Sequence, residues 1–379
     1  MPPEINRSAA AGRWLGGALL LFATALPLSI AVAQIALTVA VIAWLCAGRP
    51  GPGRRAPLLL PAAAFAAWTL LSAAASPVPL ESLADSRKLA LFVVLVLVPG
   101  ALAAAPAWAA RLPLAFVSGA ALAAGRGVIA YLRTEGGLAH RSQGPFGMHY
   151  MTFGGLLMLA TVVVVARLLY GAGAGARERT ALLAVLALFL AGLGVSFARS
   201  AWLGLLAGTL AVALALRPRV VPLVIAVAAI AVVVAPRAMR ERAATSFQVE
   251  QNLDRVEMVR VGFRMIADHP VLGVGPHRVE ASFADYPGTQ AKVHLHNNAV
   301  QIAAERGLPA LAAWLWLLSA AAVGALRRQR TADSAAGLGA IAGLLVAGLF
   351  EYNFGDSEVN MAFLLLLSLA LAAPKAETQ

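Results

Sequence analysis

Charge is scarce in this chain. Only 13% of its 379 residues are Asp, Glu, Lys or Arg, against about 25% in an ordinary soluble domain. Cysteine is scarcer still: Cys46 stands alone in an apolar run, so no disulfide framework or thiolate metal site can form within one chain. Lysine is nearly missing, with 3 lysines against 27 arginines. The balance is +12, but no aromatic-interleaved basic patch or nucleic-acid motif accompanies it, which argues against a nucleic-acid partner. There is also no tandem repeat of 20–50 residues and no obvious inverted pair of spans.

What remains is apolar. Hydrophobic residues make up 60% of the chain and the mean hydropathy is +0.78. Apolar stretches of roughly 17–22 residues recur, the length a helix needs to cross a bilayer. The expected fold is therefore an all-α polytopic membrane protein with about twelve transmembrane helices and one large loop. The expected spans lie at about 14–29, 31–47, 57–75, 88–105, 112–131, 149–170, 180–197, 201–216, 219–235, 298–325, 335–351 and 358–373. That divides the chain into spans one to nine (1–235), a long polar loop (236–297), and spans ten to twelve with a tail (298–379). Arg7, Arg13 and the apolar run after them mimic a secretory signal, but the apolar sequence continues past Gln34, as in a retained helical hairpin.

Short basic links set the expected orientation. RPGPGRR (49–55), Arg111, Arg167 with Arg177 and Arg179, RPR (217–219) and RRQR (327–330) all fall in alternate links. By the positive-inside rule these links, both termini and Lys375 face the cytoplasm. GAGAGARERT (171–180) reads as a flexible inner loop. The outer links are then 76–87, 132–148, 198–200, 236–297 and 352–357. All six histidines, His140, His149, His269, His277, His294 and His296, lie in or beside outer links.

The long loop holds a helical pattern, with Val256, Val259, Phe263 and Ile266 spaced along one face, a cap near Asn252 or Asp254, and Pro270 ending it. Arg260 and Arg264 share a face and Arg255 lies just off that row. They read either as a solvated basic face or as a cradle for an anion, most plausibly phosphate. Arg199, at the mouth between two spans, and Arg141, before a Gly-Pro turn, invite the same two readings: snorkelling, or a ligand. Arg126 lies inside the fifth span and needs a carboxylate or carbonyl partner. His296 opens a helix on which Asn297, Gln301 and Glu305 recur every four residues, a polar stripe that must face protein or a water-filled cavity. Gly307–Pro309 then breaks the helix. His296 reads as a general base or as a structural cap. No metal is expected, because His294 and His296 at i, i+2 do not share a helical face and Glu305 completes no acidic set. Glu351, Asp356 and Glu358 crowd the last outer link, where they could hold arginines of a site or orient an acceptor; Tyr352 and Phe354 suit interfacial anchoring.

Several of these segments resemble one family. His296-Asn297, nine residues, then Gly307 resembles the signature of the O-antigen ligase and O-antigen polymerase superfamily. That signature ends in Gly, Thr or Tyr where this chain has Ala310. DHPVLGVGPHRVE (268–280), with Arg255 upstream, resembles the family's His-Pro-Leu-x-Gly-x-Gly segment. FARSAWLG (197–204) and HRSQGPFGMHYMTFGG (140–155) resemble two further family turns, so the likeness covers about 130–380 by motif order and spacing. It implies a GT-C-like membrane glycosyltransferase of the bacterial inner membrane, with the loop and active site periplasmic. It also implies metal-independent, inverting transfer with no cofactor. The donor would be a glycan on undecaprenyl pyrophosphate, and the acceptor lipid A–core in a ligase or a second lipid-linked glycan in a polymerase. His296 would be the base, while Arg199 and Arg255, with Arg141, Arg260 and Arg264, would bind pyrophosphate. Asn297, Gln301, Glu305, His294, Glu351 and Asp356 would support them. A flippase or transporter of an anionic lipid-linked sugar is the alternative of another class.

Overall fold

In the computed structural model, helix is the only regular secondary structure among the described residues, with no strand. These are all residues except 1–2, 49–56, 135–140, 172–174, 245–252, 287–292, 329–330 and 373–379. The arginines of 49–55, His140, Asn252 and Lys375 therefore lie outside them. Helix is what an apolar chain of this kind must adopt, because backbone groups in hydrocarbon have no water to bond.

The first helices are α1 (Pro3–Ala25), α2 (Ile30–Cys46), α3 (Leu59–Ala74) and α4 (Pro79–Asp85), the last running through a 3-10 turn into α5 (Val94–Ala104). Then come α6 (Trp108–Leu132), α7 (Tyr150–Tyr170), α8 (Ala176–Ser196), α9 (Arg199–Leu216) and α10 (Val221–Val234). The long loop contains α11 (Arg237–Ala244), α12 (Leu253–Asp268) and α13 (Val279–Ser282); α14 (Asn298–Arg327), α15 (Ala332–Ala347) and α16 (Ser357–Ala372) follow. Every expected apolar stretch falls on a helix. Among the described residues, six helical segments are long and apolar enough to cross a membrane by length and composition, and five more apolar helices are shorter. The chain is a polytopic helical membrane protein with six candidate spans by length and composition among its described residues.

Local chemistry explains the boundaries. The Pro27–Ser29 break ends α1, and Ser29 caps α2 by accepting from the Val32 N–H. Residues 176–180, expected in a loop, instead form the first turn of α8, whose Glu178 suits a helix N-terminus. A Thr331–Ser334 capping box starts α15.

α7 and α16 form the centre and are buried on nearly every side. Beside them, α9 and α15 cross through paired small-residue motifs, Gly204-x3-Gly208 and Gly339-x3-Gly343. A Cβ on Gly208 would stand 2.8 Å from the Gly339 carbonyl oxygen, and one on Gly204 would stand 2.7 Å from that of Gly343. Only glycine allows this approach, which gives apolar helices their van der Waals contact where no hydrophobic effect draws them together. α10, by contrast, buries no residue.

The bundle has two distinct ends. At one, α7 begins beside Asp356, which accepts from Thr152 Oγ1, and α14 begins against the C-terminus of α15, with Asn298 N–H donating to Gly348 O at 2.7 Å. At the other, α7 finishes at Arg167, which pairs with Asp333 in the first turn of α15 at 3.7 Å. About 22 Å of helix separates Thr152 from Arg167 at 1.5 Å per residue.

The long-loop helix α12 rests on α14 by a face that takes in only Val259 and Ile266 of the four residues its periodicity picked out. Met258, Val261, Gly262 and Met265 are buried, while Val256 and Phe263 are 46% and 60% exposed. The reason is steric: Gly262 sits against Leu295 and Val300, where a Cβ would collide with Val300. The contact face is thus centred on a residue that scores as neutral in a hydropathy pattern.

Candidate functional site

The loop segment 270–275 is wedged into a break in α14. Gly307 adopts φ +80°, ψ 170° inside that helix, a conformation open essentially to glycine alone. The Leu308 N–H consequently bonds to Pro270 O at 2.8 Å instead of to its own helix. The carbonyls thereby released meet the loop: Val274 N–H donates to Ala304 O at 2.8 Å and Gly275 N–H to Glu305 O at 2.9 Å. A Cβ on Gly307 would overlap the Val271 carbonyl, and one on Gly273 would overlap the Glu305 backbone. From the other side α3 clasps the same segment, through Trp68 Nε1–H to Val271 O at 3.1 Å and Ser72 Oγ–H to Leu272 O at 2.5 Å. The expected break at Gly307–Pro309 is therefore a socket for the loop.

About two and a half turns before Gly307, α14 starts at Asn298. His296 does not open the helix, as its spacing suggested. It precedes the N-cap, which is Asn297, whose Oδ1 accepts from the Val300 N–H at 3.0 Å. His296 itself has φ +52°, a left-handed conformation that costs a side-chain-bearing residue of order 1–3 kcal/mol. Its capping role is thus taken by a neighbour. Strain of this kind persists where surrounding contacts hold the residue in place, and here they do.

Those contacts come from the link between α15 and α16. Asn298 Nδ2 donates to Asn353 Oδ1 at 2.7 Å, and Phe354 N–H returns a bond to Asn298 Oδ1 at 3.1 Å. This pairing brings Glu351, a buried residue, beneath both histidines. His296 Nδ1 lies 3.2 Å from each carboxylate oxygen and His294 Nε2 lies 3.4 Å from Oε1. Burial alone would raise the Glu351 carboxyl; hydrogen bonds from His294 and His296 and their charges outweigh it, holding the group at about 2 rather than 4.5. Glu351 is a carboxylate at neutral pH. As a carboxylate it can only accept, so the proton it faces stays on His296 Nδ1 and Nε2 is the basic nitrogen of the neutral ring. Glu351 thus holds histidines rather than arginines. Asp356 caps α16, accepting from Glu358 N–H at 3.1 Å and from Thr152.

Below the histidines the polar stripe is buried and fully engaged. Gln301 Oε1 accepts from Leu295 N–H at 2.6 Å, Gln301 Nε2 donates to Glu305 Oε1 at 2.7 Å, and Glu305 Oε2 accepts from Arg306. Arg306 also reaches Tyr352 Oη at 3.4 Å. Burial, eased by the Arg306 charge, pushes the Tyr352 phenol up to about 12. Beyond Tyr352 lies a cavity of about 40 Å³ lined by Lys88, His277, Arg306 and Asn360 among others, room for a few waters. Burial lowers the pKa of His277 there, opposed in part by Glu305. Sequence reasoning gave Arg306 no role, read Tyr352 only as an interfacial anchor and placed His277 only among the outer histidines; an arginine beside Glu305 on an apolar helix was the available signal.

The remaining arginines divide. Arg260 is exposed and paired with Glu257 at 3.2 Å, a solvated surface pair of little energetic weight. Arg264 is exposed as well, while Arg255 is half-buried near the start of α12. Arg141 stacks on Tyr150 with its guanidinium carbon 4.9 Å from the ring centre, and its buried Nε has no hydrogen-bond partner. Arg126 donates to Gly144 O at 3.1 Å, the carbonyl partner its position required. Arg199 is the first residue of α9, just after Phe197 turns the chain at φ +53°.

A metal would find one three-ligand set among the described residues. His294, His296 and Glu351 each offer a ligand atom, all within 4.8 Å of one another. The argument from i, i+2 spacing does not apply, because both histidines precede the helix. The third ligand comes from Glu351, not Glu305. Nitrogen–carboxylate trios of this kind suit zinc and related ions.

No curated protein matches the chain. Residues 182–315 match the family model described as O-Antigen ligase, an interval that runs from α8 to the middle of α14. That match, which takes in Arg199, Arg255, His296 and Gly307, supports the O-antigen ligase and polymerase superfamily for this chain.

Proposed function

We propose that the protein is an O-antigen ligase-type inverting glycosyltransferase, carrying a glycan from undecaprenyl pyrophosphate to a lipid A–core hydroxyl. The observation that carries this reading is the pairing of Glu351 with His296 at the head of α14, His296 lying inside the segment matched to the family. The acceptor oxygen attacks the anomeric carbon as its proton passes to His296 Nε2. The bond from that carbon to the pyrophosphate oxygen breaks on the opposite face, so configuration inverts and undecaprenyl pyrophosphate leaves. Arg199 and Arg255, with Arg141, Arg260 and Arg264, stabilise the charge that develops on the leaving group. Glu351 fixes the imidazole and stabilises the imidazolium.

The twelve-span plan, the inner membrane, cytoplasmic termini and a periplasmic site belong to the same proposal, supported by the arginines in alternate links. So does a long loop (236–297) that closes over a site shared with other helices, without need of a cofactor. Ala310, where the ligase signature has Gly, Thr or Tyr, favours a second reading: a polymerase whose acceptor is another lipid-linked glycan. Purified protein given lipid-linked glycan and either acceptor separates the two by which product grows. His296→Ala should abolish either product. Transfer that survives this change rules out the base, and translocation without transfer would make the protein a transporter.

A further inference from the structure

At the end of the bundle opposite His296, a cleft of about 420 Å³ opens between the ends of α7 and α9 and the beginnings of α8 and α10. Its size falls in the range of ligand sites. Three arginines from three different segments line it, Arg167, Arg179 and Arg217, together with Leu182, Val220 and Leu223. The positive charge is only partly answered. Arg167 pairs with Asp333 at 3.7 Å, yet its buried Nε has no hydrogen-bond partner. Arg217 uses Nε to cap the end of α7, donating to Leu169 O at 2.7 Å. That bond fixes its guanidinium beside Gly171, which ends α7 at φ +63°. Arg179 is exposed on the first turn of α8. The apolar wall continues along α10, where Leu223, Val227 and Ile230 share one face and are 63%, 56% and 59% exposed. In a membrane protein that surface faces acyl chains.

We propose that this cleft is a binding site for an anionic phospholipid, its phosphate held by Arg167, Arg179 and Arg217 and its chains laid along α10. Charge complementarity selects an acidic headgroup, and the apolar wall selects a lipid over a soluble anion. Guanidinium forks suit phosphate oxygens, and basic pockets between helices at a membrane surface hold such headgroups. The site is separate from the proposed transfer chemistry, with about 22 Å of α7 between Arg167 and Thr152.

Native mass spectrometry of the full-length protein in detergent tests this, with phosphatidylglycerol and phosphatidylethanolamine as probes. Phosphatidylglycerol should be retained at least tenfold better. The double variant Arg179→Gln/Arg217→Gln should lose roughly thirtyfold in phosphatidylglycerol affinity, the product of two surface arginines. Arg179→Lys/Arg217→Lys should recover part of it. Equal retention of the two lipids, or wild-type retention by the glutamine variant, overturns the proposal. So does displacement of the lipid by millimolar inorganic phosphate, which would make the cleft a soluble-anion site. If the glutamine variant fails to fold, Val220→Trp fills the cleft with all three arginines in place and must also release phosphatidylglycerol; unchanged retention overturns the proposal equally.

Discussion

Replacing Glu351 by Gln tests the proposed chemistry most directly, because it removes one charge and almost no volume. Glu351 lies 3.2 Å from His296 Nδ1 and 3.4 Å from His294 Nε2. The two histidines hold its carboxyl well below the ordinary carboxylate range. A hydrogen bond between charged groups is worth about 1.5–3 kcal/mol, and that is the stabilisation His296 would lose as it gains a proton. Glu351→Gln should lower kcat by about 10- to 100-fold. The KM for the lipid-linked donor should barely move, because Glu351 is assigned no contact with pyrophosphate. His296→Ala should cost about 10²–10⁴-fold, the range of general-base catalysis. The double variant should be no slower than His296→Ala alone, since both residues act on one proton. Purified protein in detergent, assayed for transfer to a hydroxyl acceptor under single-turnover conditions, supplies all three rates. A normal kcat in Glu351→Gln, or losses that multiply in the double variant, would refute a Glu-oriented base.

Gly307→Ala should lower the Tm in detergent and impair transfer, because its backbone conformation costs alanine about 1–3 kcal/mol and the Cβ overlaps Val271; an unchanged Tm would contradict the loop socket. Transfer should persist in EDTA, whereas full inhibition reversed by zinc would recast His294, His296 and Glu351 as ligands and remove His296 as base. Acid should destabilise the fold in two steps. His277 is depressed by burial, so its unfolded form binds a proton first and stability falls as pH drops below 6.5. Glu351, depressed to about 2, contributes stability above pH 4.5 that is lost as pH falls through about 2. Melting of His277→Asn, an exchange that tolerates the left-handed backbone at φ +59°, should show a smaller loss between pH 7 and 5; an identical loss would clear His277 of this role.

What the sequence made legible follows physical range. Apolar runs specify helix locally, so each expected stretch carries one, and Asn297, Ser29 and Pro270 mark boundaries by chemistry confined to a few residues. Pairings across long stretches of chain left no such mark. Glu351 is 55 residues from His296, and its side chain could be foreseen as polar and important but not as a partner for imidazole. The contact face of α12 is legible only through Val259 and Ile266, because its centre, Gly262, contributes to packing by having no side chain. The crossing of α9 and α15 rests on glycines for the same reason. Gly307 carries both lessons at once. Its signature position was readable, yet its function, admitting the 270–275 loop into α14, depends on Val271 and Leu272, which the signature does not mention. The motif therefore encodes less a set of reacting groups than the backbone geometry that seats the loop about two turns along α14 from His296. A substitution that leaves every titratable group intact should still disable the site if it fills that socket.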